Sequence, residues 1–210
     1  MKKGIFISIE GPDGSGKSTQ IENIKKYFSD KNIDIFFTRE PGGTKIGERI
    51  RDILLDNNCT EMCDMTEAML FAASRAQHVS EVIKPNILKG NIVVCDRFVD
   101  SSLAYQGYAR GLGEPVTVIN KYAVDNYMPD LTILLKLEPE EGLKRMVKRG
   151  KLDRLDSEKA SLHEKVFKGY LDLLDKYPDR IYGIDASKSI DEIKEEIYRK
   201  LDELLEKHEF

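Results

Sequence analysis

A parallel α/β fold is predicted by three features of this sequence of 210 residues. Short apolar runs rich in β-branched residues recur along the chain, at residues 5–9, 33–38, 92–95, 131–137 and 181–184. The segments between them are long enough for crossover helices. The runs are also nearly continuous in apolar character, which is typical of strands covered on both faces. We therefore expect a five-stranded parallel sheet with helices on both faces.

Apolar residues at helical spacing support helices between and after these strands. Ile21, Ile24 and Phe28 follow the first run at the required intervals, and a similar pattern extends over residues 190–204. Ser189 and Glu192 form the capping-box pattern that begins the last helix. A further helix is predicted over residues 66–83.

The composition is typical of one globular domain over residues 1–210. Basic residues number 33 and acidic residues 37, a net charge of −4 that disfavours a general nucleic-acid binder but allows a local cationic pocket. The chain has 3 cysteines, and its first apolar run ends too early for a secretory signal. No apolar stretch is long enough to span a membrane. These features favour a cytoplasmic protein without membrane association.

A glycine-rich segment between the first predicted strand and the first helix fits the pattern G-x-x-x-x-G-K-[ST]. Its residues, with the one that follows, are Gly11, Pro12, Asp13, Gly14, Ser15, Gly16, Lys17, Ser18 and Thr19. Backbone N–H groups of such a loop converge on phosphate oxygens. The lysine reaches the β- and γ-phosphates, and the serine hydroxyl ligates Mg²⁺. The segment predicts a site for ATP and Mg²⁺ on a P-loop NTPase fold.

Two charged residues follow the third predicted strand. Asp96 ends that strand, where a carboxylate can hold Mg²⁺ or its water beside Ser18. Arg97 comes next, and a guanidinium at the carboxyl edge of a parallel sheet is well placed to bind phosphate. A GTPase is disfavoured, because residues 120–123 lack the aspartate of the guanine-reading N-K-x-D pattern.

Other segments could bind a second substrate. Arg39 follows the second predicted strand, and Phe71 and Arg75 lie four residues apart on one helix. Since an unpaired buried charge is costly, we expect Arg75 to face an anion rather than the core. Tyr105 and Gln106 lie in a polar segment punctuated by glycines. Together these residues are suited to a flat base and a phosphate opposite ATP.

The chain also contains one strongly basic segment. Six of the eleven residues from 144 to 154 are basic, namely Lys144, Arg145, Lys148, Arg149, Lys151 and Arg154. The segment is more typical of a charged flap around Gly150 than of a core element, and an ordinary charged helix is the alternative.

Five motifs, in matching order and spacing over essentially the whole chain, resemble those of thymidylate kinases. They comprise residues 10–18, 37–44, 70–77, 96–98 with Ser101, and 104–107. The resemblance is to bacterial-type members, because the P-loop contains no arginine and a basic segment is present. It implies a mobile basic lid over about residues 142–158. The sequence departs from the usual pattern of that family at Asp156, a position where glutamate is more common.

The resemblance also implies roles for individual residues in binding dTMP. Phe71 would stack on thymine, and Tyr105 would lie under the deoxyribose. Arg75 would hydrogen-bond the base, and Arg39 and Arg97 would bind the monophosphate. Asp13 would contact the sugar 3′-hydroxyl or its water. Gln106 and Ser102 would make secondary contacts with the base or sugar.

For phosphoryl transfer, the resemblance implies that lid arginines assist the P-loop. Arg145 would bind ATP, and Arg149 and Arg154 would join Lys17 and Arg97 in catalysis. Ser18 and Asp96 would hold Mg²⁺. The implied partners are ATP, dTMP and a second copy of the chain, which would pack through residues 45–56 and 66–83, with no nucleic-acid polymer.

Two alternatives remain open from the residues alone. One is a P-loop kinase for another acceptor, such as a guanylate or deoxynucleoside kinase. The other is an ATP-binding regulatory module that does not phosphorylate a small molecule.

Overall fold

Five parallel strands form a single sheet in the computed structural model, which describes residues 4–149, 154–155 and 160–209. Within that range, the side chains of Met146, Lys148 and Arg149 are not described. The strand order is β2-β3-β1-β4-β5. The strands are β1 (Ile5–Glu10), β2 (Ile35–Arg39), β3 (Ile92–Asp96), β4 (Leu131–Lys136) and β5 (Ile181–Asp185). The predicted parallel sheet is confirmed, with strand ends within two residues of the expected positions.

Helices connect the strands. They are α1 (Lys17–Asp30), α2 (Lys45–Leu55), α3 (Asp64–His78), α4 (Lys84–Leu88), α5 (Val99–Ser102), α6 (Glu114–Ala123), α7 (Pro139–Arg149), α8 (Ala160–Lys176) and α9 (Ile190–Lys207). Two π-helical segments, Val79–Ile83 and Leu103–Ala109, continue α3 and α5. The predicted capping box begins α9, because Ser189 Oγ accepts from the Glu192 backbone N–H. No helix within the described ranges is both long enough and apolar enough to cross a membrane.

The sheet is buried between two apolar layers because successive side chains of β1 point to opposite faces. Ile5, Ile7 and Ile9 pack in the cluster that includes α1 and α9. Phe6 packs on the other face with residues of the first π-helical segment and α4. Ile9 of β1 lies opposite Asp96 of β3, so the segments after both strands meet at one edge of the sheet.

Strand β2 departs from the expectation of complete burial. It is an edge strand, and Phe36 is 40% exposed. The prediction that helices cover both faces is therefore correct for β1, β3 and β4 but wrong for part of β2. An apolar sequence alone does not distinguish an edge strand from a central one.

The basic segment is divided by the structure. Residues 144–149 form the last turns of α7, and the lid stays a prediction. Arg154 and Leu155 are described, whereas Asp156 and the rest of the predicted lid lie outside the described residues.

A buried ion pair ties α5 to the residue that precedes β5. Asp100 is fully buried, and its carboxylate accepts two hydrogen bonds from Arg180, at 2.6 and 2.8 Å. Arg180 also donates to Thr132 Oγ1 at 2.8 Å, and Thr132 bonds to Ser8 Oγ. Removing Arg180 would leave a buried carboxylate without its cation, which is strongly unfavourable.

We expect Arg180→Met to lower the free energy of unfolding by about 3 kcal/mol. Urea denaturation measures this loss. Arg199→Met is the matched control, because Arg199 is exposed and its replacement should change stability by less than about 0.5 kcal/mol. Equal stability of the two variants would contradict a structural role for the Asp100–Arg180 pair.

Candidate active site

The glycine-rich loop curls between β1 and the first turn of α1. Lys17 Nζ donates to the carbonyl oxygens of Gly11 and Pro12, at 2.9 and 3.0 Å. The Lys17 side chain is thus folded back over the loop and buried. Ser15 Oγ is also buried, and it has no hydrogen-bond partner among the described residues. A buried donor without a partner fits a loop whose groups are completed by a ligand.

The first turn of α7 packs directly against this loop. A Cβ atom at Gly14 would lie 2.4 Å from the Gly142 carbonyl oxygen. A Cβ atom at Gly142 would lie 2.7 Å from the Asp13 carbonyl oxygen. Both positions therefore require glycine. Gly14 lies in the predicted loop at a position that the pattern leaves open. No local pattern reveals Gly142, because its partner lies more than one hundred residues earlier in the chain.

An ion pair joins the loop to the segment after β3. Arg97 donates to Asp13 Oδ1 at 2.6 Å, and Tyr105 donates its hydroxyl to Asp13 Oδ2 at 2.6 Å. The other guanidinium nitrogen of Arg97 donates to Ser101 Oγ at 3.0 Å and to the Tyr170 hydroxyl at 3.2 Å. Arg97 has φ of 65°, a strained conformation that is concentrated at functional sites.

Burial and neighbouring charge set the protonation of this loop. Burial opposes ionisation of Asp13, but the charges of Arg97 and Lys17 and the Tyr105 hydrogen bond outweigh it and hold the Asp13 pKa well below its usual range. Burial, with the nearby charge of Arg97, lowers the pKa of Lys17 to about 8. Asp13 is therefore a permanent anion, whereas Lys17 titrates slightly above neutral pH.

Glu10, the last residue of β1, accepts hydrogen bonds from the segment that follows β3. Its Oε1 accepts from the Phe98 backbone N–H at 2.7 Å, and its Oε2 accepts from Ser101 Oγ at 2.6 Å and the Tyr170 hydroxyl at 2.9 Å. Complete burial and the nearby Asp100 raise the pKa of Glu10 to about 7. Sequence reasoning assigned no role to Glu10, although a carboxylate at the end of a buried strand was a visible signal.

A cleft of about 390 Å³ opens over these groups. It brings together predicted residues from four separate parts of the chain: Asp13, Gly14, Ser15, Gly16, Lys17, Ser18, Thr19, Arg39, Phe71, Asp96, Arg97, Ser102, Tyr105 and Gln106. Its lining also includes six residues to which the sequence analysis assigned no site role, although the first two and Ser101 belong to its motifs: Glu40, Pro41, Arg51, Leu55, Ser101 and Leu155.

Arg39 contributes a positively charged side chain to the lining of the cleft. Its guanidinium donates to Glu48 Oε2 at 2.8 Å and to the Pro41 carbonyl oxygen at 3.0 Å. Arg51 donates to the same carbonyl at 2.9 Å. Arg39 is therefore held in place by α2 before any ligand binds.

Arg75 is placed differently from the expectation. It is 1% exposed and does not belong to the cleft lining. Glu40 accepts from it at 2.8 Å, and Ser102, Asn120 and the Phe98 carbonyl accept its other bonds. The expectation that Arg75 avoids the interior is wrong, because Glu40 pairs its charge. A contact of Arg75 with the base stays a prediction.

The predicted lid arginines do not line the cleft where they are described. Arg145 donates to the Ala186 carbonyl oxygen at 3.3 Å. Arg154 donates to the Leu54 carbonyl oxygen at 2.9 Å and to Glu67 at 2.6 Å. The side chain of Arg149 lies outside the described set. The roles of these arginines in ATP binding and catalysis stay predictions.

On its own, the described part of the chain supplies too few ligands for a divalent cation at this site, so substrate and water would have to supply the others. Among the described residues, no group of three or more His, Cys, Asp or Glu side chains could hold a metal. Asp96 Oδ1 is buried and has no described partner, and the exposed Ser18 lines the same cleft. One carboxylate and one hydroxyl are too few for a complete cation shell, but they suit Mg²⁺ that is also bound to substrate phosphates and water.

The fold and the cleft together define a P-loop phosphotransferase of the nucleoside monophosphate kinase class. The family model for thymidylate kinase matches residues 9–197. With that match over most of its length, the chain belongs to the thymidylate kinase family.

Individual relatives agree with this assignment. A thymidylate kinase from Clostridium novyi (strain NT) is 52% identical over 200 residues, which cover 94% of this chain and 98% of the relative. One from Geobacillus sp. (strain WCH70) is 50% identical over 194 residues, covering 91% and 92%. The crystal structure of thymidylate kinase from Ehrlichia chaffeensis is similar with a TM-score of 0.75 and 31% identity, covering 95% of this chain and 99% of that one.

We expect ATP affinity to decrease as pH rises through about 8, where Lys17 loses its proton in the free protein. Bound phosphates stabilise the charged lysine and raise its pKa, so binding takes up a proton above pH 8. At pH 9 the affinity should be about tenfold lower than at pH 7. Phosphate groups titrate near pH 6 and do not contribute to this change.

Isothermal titration calorimetry in buffers of different ionisation enthalpy measures both the affinity and the proton uptake. Lys17→Arg is the matched control, because arginine stays charged over this range and removes the pH dependence. An affinity for ATP that is constant from pH 7 to 9.5 in the wild-type protein would contradict the assigned pKa.

Proposed function

We propose that this enzyme transfers the γ-phosphoryl group of ATP to dTMP, giving dTDP and ADP for dTTP synthesis. The observation that carries the proposal is the arrangement of the cleft. P-loop residues line the same cleft as Arg39, Phe71 and Tyr105, which come from three other parts of the chain. A phosphate donor and an anionic acceptor with an aromatic base can thus occupy one cleft.

The chemistry requires charge neutralisation rather than a protein nucleophile. A phosphate oxygen of dTMP forms the new bond to the γ-phosphorus, and the bond from that phosphorus to the bridging oxygen of ADP breaks. The obstacle is repulsion between two polyanions. Lys17 and Arg97 offset it, and Asp13 and Ser101 hold Arg97 in one orientation before substrates bind.

The acceptor side supports a deoxynucleotide with a flat base. Phe71 of α3 lines the cleft, and its ring would stack on the base. The Tyr105 ring is buried and its hydroxyl is held by Asp13. A ring fixed in this way would lie under the deoxyribose and exclude a 2′-hydroxyl. Arg39 and Arg97 reach the same space from neighbouring strands and would bind the monophosphate.

Ser18 and Asp96 would hold Mg²⁺ together with the ATP phosphates. Bound there, the ion neutralises charge that develops on the β- and γ-phosphate oxygens. The partnerless Asp96 Oδ1 supports this assignment. It lies on the strand next to the P-loop, since β3 pairs with β1.

A coupled assay for ADP release with dTMP, dCMP, dGMP and thymidine tests the proposal. We expect kcat/KM for dTMP to exceed that for each other acceptor at least about tenfold. Chelation of Mg²⁺ should abolish turnover. Preferred turnover of another acceptor would identify a different kinase, and no turnover with any acceptor would favour the regulatory module.

We further propose that two copies of the chain associate through α2 and α3. These helices pack on each other and expose large apolar side chains, including Ile46 and Ile53 of α2 and Met69 of α3. Met69 is 54% exposed, which is unfavourable for an apolar side chain unless a partner covers it.

Met69→Glu should convert a dimer into a monomer in sedimentation velocity, because it would place a charge in the apolar contact. Ile190→Glu is the control, since Ile190 is similarly exposed but lies at the start of α9. A wild-type protein that sediments as a monomer would disprove the proposed dimer.

A further inference from the structure

Glu67 of α3 is a buried carboxylate outside the groups discussed for phosphoryl transfer. Its side chain is 2% exposed. Oε1 accepts from Gln106 Nε2 at 2.9 Å and from Arg110 Nε at 3.3 Å. Oε2 accepts from a terminal nitrogen of Arg110 at 3.1 Å and of Arg154 at 2.6 Å. Glu67 therefore connects Gln106, which lines the cleft, to two arginines that do not line it.

The charge state of Glu67 follows from these partners. Burial opposes its ionisation, but the hydrogen bonds from Gln106, Arg110 and Arg154 hold its pKa below the usual range. An ionised carboxylate can only accept hydrogen bonds. The two arginines thus keep Glu67 an acceptor at any pH at which the enzyme works.

An acceptor at this position determines the orientation of the Gln106 amide. The amide has one donating end and one accepting end, and only the NH₂ group can face an ionised carboxylate. The carbonyl oxygen, Oε1, is then the free end. Among the described residues nothing donates to it, and Gln106 lines the cleft. The structure consequently presents an acceptor, not a donor, to a base bound there.

Pyrimidine bases differ at the ring nitrogen that such an oxygen can contact. Thymine carries a hydrogen on N3, whereas N3 of cytosine is a lone-pair acceptor. An amide oxygen bonds the first and repels the second. Sites that hydrogen-bond a substrate reject analogues that leave a buried polar group unpaired.

We propose that Glu67 is a positioning residue that holds Gln106 with its carbonyl oxygen toward the base and thereby sets the preference for thymine over cytosine. This inference rests on the proposed function, because it concerns the base of the acceptor nucleotide. Glu67 acts through Gln106 and does not contact the substrate.

The test is Glu67→Gln, which replaces an obligate acceptor by an amide that can either accept from or donate to Gln106. Gln106 can then turn its NH₂ group toward the cleft. We expect the ratio of kcat/KM for dTMP to that for dCMP to fall at least tenfold. The KM for dTMP should rise more than its kcat falls, while dCMP turnover should stay constant or increase.

Asp64→Asn is the matched control. Asp64 pairs with Arg110 at 3.4 Å from the same helix, and none of its described contacts is with Gln106. Its replacement should leave the dTMP-to-dCMP ratio within about twofold of wild type. An equal loss of kcat/KM for both acceptors in Glu67→Gln would show that Glu67 is merely structural and would overturn the proposal.

Glu67→Asp keeps the proposal testable if Glu67→Gln does not fold, as judged by thermal unfolding. Aspartate remains an acceptor and retains the charge opposite Arg110 and Arg154. It should keep the ratio within about threefold of wild type, and a folded Glu67→Asp enzyme without the preference would overturn the proposal. If the wild-type enzyme itself does not prefer dTMP to dCMP, the proposed function fails rather than the role of Glu67.

Discussion

The ion pair between Asp13 and Arg97 positions the donor half of the site against the acceptor half. Its two charged atoms lie 2.6 Å apart, and Tyr105 completes the contact from the second π-helical segment. The pair can form because β1 and β3 are neighbours in register, with Ile9 opposite Asp96. The segments that follow these strands therefore emerge side by side at one edge of the sheet, where ligands bind in open parallel sheets.

Cations around the cleft are restrained by carboxylates in the same way. Glu48 holds Arg39, Glu40 holds Arg75, and Glu67 holds Arg110 and Arg154. Each buried pair costs desolvation free energy, so such pairs are weak evidence for stability. They instead fix guanidinium groups and amides in place before substrates arrive, which is how an enzyme stabilises developing charge without reorganising during the reaction. The net charge of −4 is thus compatible with a cationic cleft.

The two incorrect expectations have a common cause. The burial of β2 was overestimated because its apolar sequence does not show that it lies at the edge of the sheet. The burial of Arg75 was missed because its partner, Glu40, is 35 residues away along the chain. Both depend on which elements become neighbours. In contrast, the strand positions and the capping box of α9 depend on residues a few positions apart, and the structure agrees with both.

The sequence by itself determined the parallel α/β class, the phosphate-binding loop, and the two charged residues at the end of β3 and directly after it. These features follow from short-range periodicity and backbone geometry, which a few adjacent residues control. Only the tertiary structure decided which carboxylate each arginine meets, that Gly142 must be small beside Asp13, and which way the Gln106 amide points. Most of those outcomes depend on contacts between residues far apart in the chain, such as Arg75 with Glu40, 35 positions apart, and Arg154 with Glu67, 87 positions apart. Such contacts exist only after the chain has packed around its sheet.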